Sequence, residues 1–313
     1  MPMMTPIDGD LVCQGVLPLR LAVADEAGVG ALTYVNAMTV DVEDYFQVTA
    51  FERHVSRASW DRMPHRVEGC VDRILGLFSE HDVKGTFFTL GWIAARYPAM
   101  VRRIVTEGHE LASHGWEHVR VTEQSLSEFR ADVARTKSIL EDTGGCPVLG
   151  YRAASYSIGE RNLWALKVLD DVGYHYSSSI YPIRHDIYGM PGGPRFRFNP
   201  RRDSSFLEIP ITTLDVVGQK LPCGGGGYFR LFPYALSRWA MRRVNRLDRQ
   251  SCVFYFHPWE IDPDQPRQRD LRAKTRMRHY LNLHRMEARV GFLLRDFCWG
   301  RMDQIFLAGR DFG

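Results

Sequence analysis

The chain has 313 residues, 45% hydrophobic, 25% charged and 12% aromatic, with a formal net charge of +3. This balance excludes a disordered chain, and no Gly-X-Y or heptad period is present to suggest a fibrous one. Length allows two domains or one barrel of roughly 200–250 residues with extensions, and no apolar run approaches the roughly 18 residues needed to span a bilayer.

Residues 1–36 carry no convincing period and read as an N-terminal extension outside the core. From Ala37 onward short apolar runs alternate with amphipathic stretches. Ala37–Val42 reads as a buried strand. Arg66–Glu80 places Val67, Val71, Ile74, Leu75 and Phe78 at helical spacing. Gly85–Leu90 is a strand, and Pro98 opens a helix with Met100, Val101, Ile104 and Val105 on its inner side. His109–Ser113 is a short strand and Ser125–Glu141 a helix. Val148–Arg152 is a strand, followed by a helix over Glu160–Val172. Leu207–Ile211 and Cys252–His257 are later strands. Strand–helix alternation at this spacing predicts an α/β fold with a parallel sheet, either closed or open.

The six cysteines (Cys13, Cys70, Cys146, Cys223, Cys252, Cys298) are scattered without a C-x-x-C pair and read as reduced thiols. The first basic residue is Arg20, so residues 1–19 lack the positive start of a secretory signal, and placement in the cytoplasm is expected. The charge is lopsided: Arg238–Arg301 holds 15 basic and 7 acidic residues, a net of +8.

Four predicted strands end in ionisable side chains, the position at which α/β barrels carry their sites. Asp41, Glu43 and Asp44 crowd the end of the first; such a set repels itself unless a cation offsets it, or forms a solvated acidic turn. Ser113-His114-Gly115-Trp116-Glu117-His118 follows the third, and two histidines four apart can converge on one metal. With one carboxylate they make an open zinc-type donor set, while His109 reads as a hydrogen-bonded core residue. Gly150-Tyr151-Arg152 ends a strand in a guanidinium that needs an anion, either a catalytic carboxylate or a structural partner. Phe254-Tyr255-Phe256-His257-Pro258-Trp259-Glu260 ends an aromatic strand in a histidine placed for general acid work or satisfied in the core.

Taken together, D-V-E-D-Y-F-Q, S-H-G-W-E-H, G-Y-R-A, G-G-G-Y-F-R and F-H-P-W-E resemble the motifs of the NodB-like polysaccharide deacetylases. They look most like the branch found beside exosortase and exopolysaccharide loci. The likeness runs from Ala37 to Gly313 and implies an irregular (β/α) barrel of about seven strands. On that resemblance residues 37–313 form a single deacetylase barrel, with residues 181–313 an Arg-rich, helical C-terminal region that contributes His257. It implies hydrolysis of N-acetyl groups on amino sugars with a divalent metal, most commonly Zn2+. Asp41 would be the general base, Arg152 its partner and His257 the general acid. His114, His118 and Asp44 would be metal ligands, with Glu43 as the alternative to Asp44, because period-two alternation puts Glu43 on the face of Asp41.

Backbone N–H groups near Ser155 or Tyr156 would form an oxyanion hole, and Tyr156, Tyr228 and Trp259 would contact sugar. The family's two adjacent aspartates are replaced here by Asp41-Val42-Glu43-Asp44, and its usual proline and aromatic by Ala154 and Ser155. Its acidic fourth motif has only Asp215 as a candidate. The substrate expected is a polysaccharide or its lipid-linked glycan precursor. Alternatives are a C–N hydrolase for a small amide or ureide and a catalytically silent glycan-binding protein.

Gly224–Gly227 lacks the G-K-[ST] of a phosphate loop and reads as backbone approaching a sugar chain, with Tyr228 as a stacking face. Ala235–Leu247 reads as a helix that packs Leu236, Trp239, Ala240, Val244 and Leu247 on the barrel with its arginines opposite. The sharper reading of the 238–301 basic region is peripheral contact with an anionic membrane at its inner face. No nucleic-acid recognition motif accompanies the charge.

Overall fold

The computed structural model describes residues 20–23, 31–186 and 188–309, with side-chain positions from residue 34 onward. In chain order the first elements are β1 (Arg20–Val23), β2 (Ala31–Val42), α1 (Val67–Glu80), β3 (Thr86–Thr89), α2 (Gly91–Arg96), α3 (Pro98–Thr106) and β4 (Glu110–Ser113). Then come α4 (Leu126–Gly144), β5 (Gly150–Tyr151), α5 (Trp164–Asp171), β6 (Tyr176–Ser177) and β7 (Leu207–Glu208). The last third adds β8 (Thr213–Val216), β9 (Gln219–Pro222), α6 (Gly226–Leu231), α7 (Tyr234–Arg243), β10 (Val253–Phe256), α8 (Ala273–Tyr280), α9 (Leu283–Asp296), β11 (Cys298–Gly300) and α10 (Met302–Phe306).

Seven parallel strands run in the order β10-β2-β3-β4-β5-β6-β7 and curve into a half-barrel. β2 is the axis of the sheet. Along its length it pairs antiparallel with β1 and parallel with β11 and β10 on one side, and with β3 on the other. β8 and β9 form a separate hairpin. The apolar faces read from sequence make the core: Val67, Val71, Ile74, Leu75 and Phe78 of α1 pack with Met38, Val40, Phe254 and Phe256 of the sheet. α4 is the best-signalled helix. Ser125 and Glu128 form a capping box at its start, and Gly145 closes it at φ 65°, a left-handed position that favours glycine.

Two expectations change. β2 begins at Ala31, inside the expected extension, and Asn36 is fully buried, tied through its side chain to Asn245 and to the backbone N–H of Cys252. The strand therefore starts ahead of the first motif, in residues whose period is hidden because both faces of a central parallel strand are covered. The remainder of the expected extension, residues 1–19 and 24–30, lies outside the described residues. The second change concerns α7 and the helical turn that continues it over Val244–Asp248, which bury Ala240, Met241 and Val244 but leave Leu236, Trp239 and Leu247 exposed. The five described cysteines form no disulfide, and Cys13 lies outside the described residues. No helix among the described residues is long and apolar enough to cross a membrane.

Candidate active site

The carboxyl ends of β2, β4, β5 and β10 deliver their ionisable residues to one place. Glu43, His114 and His118 are all buried, and each offers one ligand atom within 4.8 Å of the others. His114 follows β4 directly. Its Nδ1 lies 2.9 Å from the Arg152 carbonyl oxygen, which can only accept, so Nδ1 carries the hydrogen and Nε2 keeps its lone pair. The loop then turns through Gly115 (φ 78°) and brings His118 back at φ 54°. His118 Nε2 stands 3.1 Å from Glu43 Oε2, and that buried oxygen has no hydrogen-bond partner. Burial lowers the pKa of both histidines and so keeps them neutral, the form that donates to a metal. Two neutral imidazoles and an orphaned carboxylate oxygen fit a divalent cation such as zinc, with positions left open.

Asp44 does not join this set. Its Oδ2 accepts the backbone N–H groups of Arg66 (2.7 Å) and Val67 (3.0 Å), and its Oδ1 accepts that of Tyr45 (2.8 Å). It thus caps the start of α1, where unpaired N–H groups favour an anion. Just past the end of β2, Glu43 lies with Asp41 beside His257, whereas Asp44 is turned to the start of α1.

Asp41 is paired with the fully buried Arg152, whose Nη1 donates to Asp41 Oδ1 at 2.5 Å and to Thr39 Oγ1 at 2.7 Å. Arg152 also donates to the Ser178 carbonyl and hydroxyl, so its fork is held from β6 and β2 at once. Tyr156 is buried, with its hydroxyl 3.4 Å from Asp41 Oδ2. It thus touches the Asp41–Arg152 pair directly. Its backbone N–H is spent on the Ala153 carbonyl, which leaves the Ser155 side of this loop for an oxyanion. Ser155 and Tyr156 hold φ of 51° and 49°, a costly conformation for two consecutive non-glycine residues and typical of functional loops.

His257 Nε2 faces Glu43 Oε1 at 3.6 Å and Asp41 Oδ2 at 4.0 Å. Behind it, Nδ1 donates to Glu260 Oε1 at 2.8 Å. Burial opposes charge on this ring, but the bond to Glu260 and the carboxylates of Glu43 and Asp41 outweigh it, raising the pKa to about 9. Glu260 is itself held by Arg230, whose Nε donates to Oε2 at 2.6 Å. Burial works against the Glu260 anion; Arg230 and His257 nevertheless bring it down to about 2. Arg230 is buried and spends its other nitrogens on the carbonyls of His279, Leu281 and Arg278.

Sequence reasoning missed Glu260 and Arg230. The signal was present in H-P-W-E: Pro258 starts a short helical turn over Pro258–Ile261, and a residue three positions on returns to the turn's first side chain. Asp215 does not orient His257, since its carboxylate accepts the Gly218 N–H in the β8–β9 hairpin. The glycine run also acquires a different role. A Cβ at Gly224, Gly225 or Gly226 would meet the Val253 carbonyl, the Tyr255 ring or the Glu260 carboxylate at 2.5, 2.6 and 2.3 Å, so these glycines seat α6 against β10 and Glu260. Tyr228 is half-buried and stacks on Phe232. Trp259 is buried. It stacks between His257 and His279 and donates its indole N–H to Glu43 Oε1 at 3.2 Å, which makes it a support for the site and not an open sugar platform. His109 accepts the Gly85 N–H on Nδ1, away from the cluster.

Residues 51–177 match the family model described as polysaccharide deacetylase. The chain contains a NodB-like polysaccharide deacetylase domain. Residues 178–307 match a second model, described as a domain of unknown function (DUF3473). Among curated relatives, the peptidoglycan-N-acetylglucosamine deacetylase PgdA of Listeria monocytogenes is 37% identical over 75 residues, 24% of this chain and 16% of that protein. A chitooligosaccharide deacetylase of Bradyrhizobium is 31% identical over 78 residues, 25% of this chain and 35% of that protein. The deacetylase domain thus spans a minor part of these relatives. Among solved structures, a Mycobacterium smegmatis protein provisionally assigned as a polysaccharide deacetylase matches with TM-score 0.52 at 20% identity, covering 90% of this chain and 94% of its own. The allantoinase PuuE matches with TM-score 0.52 at 16% identity, covering 85% and 86%. Both describe the deacetylase half-barrel as a fold.

Proposed function

We propose that this protein is a metal-dependent N-deacetylase acting on amino sugars of an exopolysaccharide or its lipid-linked precursor. One observation carries the reading: the donor set Glu43, His114 and His118 lies beside the Asp41–Arg152 ion pair and His257. Hydrolysis of an amide needs a base for water, an electrophile for the carbonyl and an acid for the departing nitrogen, and these are the three groups present.

A divalent metal held by Glu43, His114 and His118 would polarise the acetyl carbonyl and acidify the attacking water. Asp41, aimed by its bond from Arg152, takes the proton of the attacking water. His257 gives a proton to the leaving amine from Nε2, while Glu260 and Arg230 fix its ring and charge. Trp259 restrains Glu43, and the Ser155 backbone N–H is offered to the developing oxyanion.

The test is metal analysis of purified protein together with acetate release from N-acetylglucosamine oligomers, compared with a panel of small amides. His114→Ala is expected to lose bound zinc and acetate release together; full activity in that variant would refute the reading.

A lipid-linked substrate calls for a membrane face, and α7 provides a candidate. Leu236, Trp239 and Leu247 are 43%, 50% and 63% exposed, and Arg243, Arg246 and Arg249 near them have no ion-pair partner among the described residues. Exposed apolar residues beside free arginines suit an anionic interface. Sedimentation with anionic but not neutral vesicles at low salt is expected; equal partitioning counts against it.

A further inference from the structure

Lysine and arginine dominate the segment that follows Asp262, and the structure sorts them into two groups. Lys274 and Arg278 on α8 share an ion pair with Asp186, at 2.9 and 3.2 Å. Arg269 and Arg276 have no ion-pair partner among the described residues. They line, with Arg267, Gln268 and Tyr280, a cleft of about 630 Å³ that has no carboxylate in its wall. The nearest acids in sequence, Asp264 and Asp270, are exposed and outside that lining.

The cleft is braced. The Arg267 guanidinium sits 4.2 Å over the Tyr280 ring, and the Gln268 N–H donates to the Tyr280 hydroxyl at 2.8 Å. Tyr280 in turn meets the candidate site through a chain of ring contacts, the first edge-on and the next two stacked. Its ring is 4.6 Å from His279, His279 lies parallel to Trp259 at 4.2 Å, and Trp259 lies parallel to His257 at 5.1 Å. The wall of the cleft is thus continuous with the wall that holds the proposed acid.

Three guanidinium groups brought together without a counter-charge repel one another, and each offers a planar fork that matches a carboxylate or phosphate. We infer that this cleft binds an acidic group of the glycan, so that the substrate is an anionic polysaccharide bearing uronate or phosphate. The inference rests on the deacetylase reading of the neighbouring site.

Its test is a binding measurement that needs no turnover. Calorimetry at low salt compares a hyaluronan hexasaccharide, UDP-N-acetylglucosamine and neutral chitohexaose on the full chain. At least one acidic probe is expected to bind roughly tenfold or more tighter than chitohexaose. Preference for hyaluronan identifies a carboxylate as the ligand, and preference for the nucleotide sugar a phosphate. The variant R269Q/R276Q is expected to lose the preference. R102Q/R161Q, which removes the same charge from exposed positions in α3 and ahead of α5, is expected to keep it. Equal binding of all three probes, or a preference that survives R269Q/R276Q, overturns the inference. Acetate release from chitohexaose is read separately, so failure of the cleft and failure of the deacetylase reading give different results.

Discussion

Glu260 lies between two cations, taking the Nδ1 proton of His257 at 2.8 Å on one oxygen and the Nε proton of Arg230 at 2.6 Å on the other. The histidine proposed as general acid is therefore oriented by a carboxylate that a second charge keeps ionised, all within a buried turn. Such second partners make a catalytic ring rigid in tautomer and direction.

Glu260→Gln should remove the charge that favours the imidazolium while keeping the shape. The expected outcome is a fall in kcat, within the roughly 10²–10⁴-fold that general acid–base catalysis contributes, with KM and metal content near wild type. Steady-state kinetics with metal analysis checks it; an equal loss in KM alone would point to a merely structural role.

Glu43 and Asp44 are adjacent and separable. Glu43→Gln is expected to lower metal content and activity together. Asp44→Ala should instead retain metal and cost about 1–2 kcal/mol, the usual range for a lost helix cap, because its oxygens serve the N–H groups of Arg66 and Val67. Metal content by elemental analysis and urea melts distinguish the two.

Much of the fold was legible because the elements announce themselves locally: β10 reads as an apolar run, α1 and α4 as helical stripes, and the ionisable residues stand where apolar strands stop. What escaped depends on partners distant in sequence. Asp44 is committed to a helix that begins at Val67, and nothing in D-V-E-D indicates that. Periodicity located α7 but not which of its faces meets the barrel, so Trp239 was expected inside and stands outside. Trp259 was expected as a sugar contact and is sandwiched by His257 and His279, a packing that only the turn after β10 creates.

Gly226→Ala is expected to abolish most activity. The added methyl would lie 2.3 Å from a Glu260 oxygen, and the neighbouring Arg230 bond leaves that carboxylate little room to retreat. Gly227→Ala, where a Cβ meets nothing within 4 Å, is the matched control and is expected to behave as wild type. Acetate release from the two variants checks the contrast.

Glu110 predicts a pH dependence of stability away from the site. It is buried and accepts the hydroxyls of Tyr176 and Thr86, and burial raises its pKa from 4.5 to about 8. A carboxyl raised in the folded state stabilises most when protonated in both states, below 4.5, and that contribution is lost as pH climbs through 8. Thermal melts should therefore fall across this window, and Glu110→Gln should flatten the decline. An unchanged slope in the variant would refute the assignment.

The two matched stretches meet between residues 177 and 178, at the last residue of β6, and β2 belongs to neither. One stretch brings His114, His118 and Arg152, the other brings Arg230, His257 and Glu260, and the strand ahead of both brings Asp41 and Glu43. Even Arg152 depends on Ser178 across that join. A cut at that boundary parts Asp41, Glu43, His114, His118 and Arg152 from Arg230, His257 and Glu260, so neither piece carries the whole cluster.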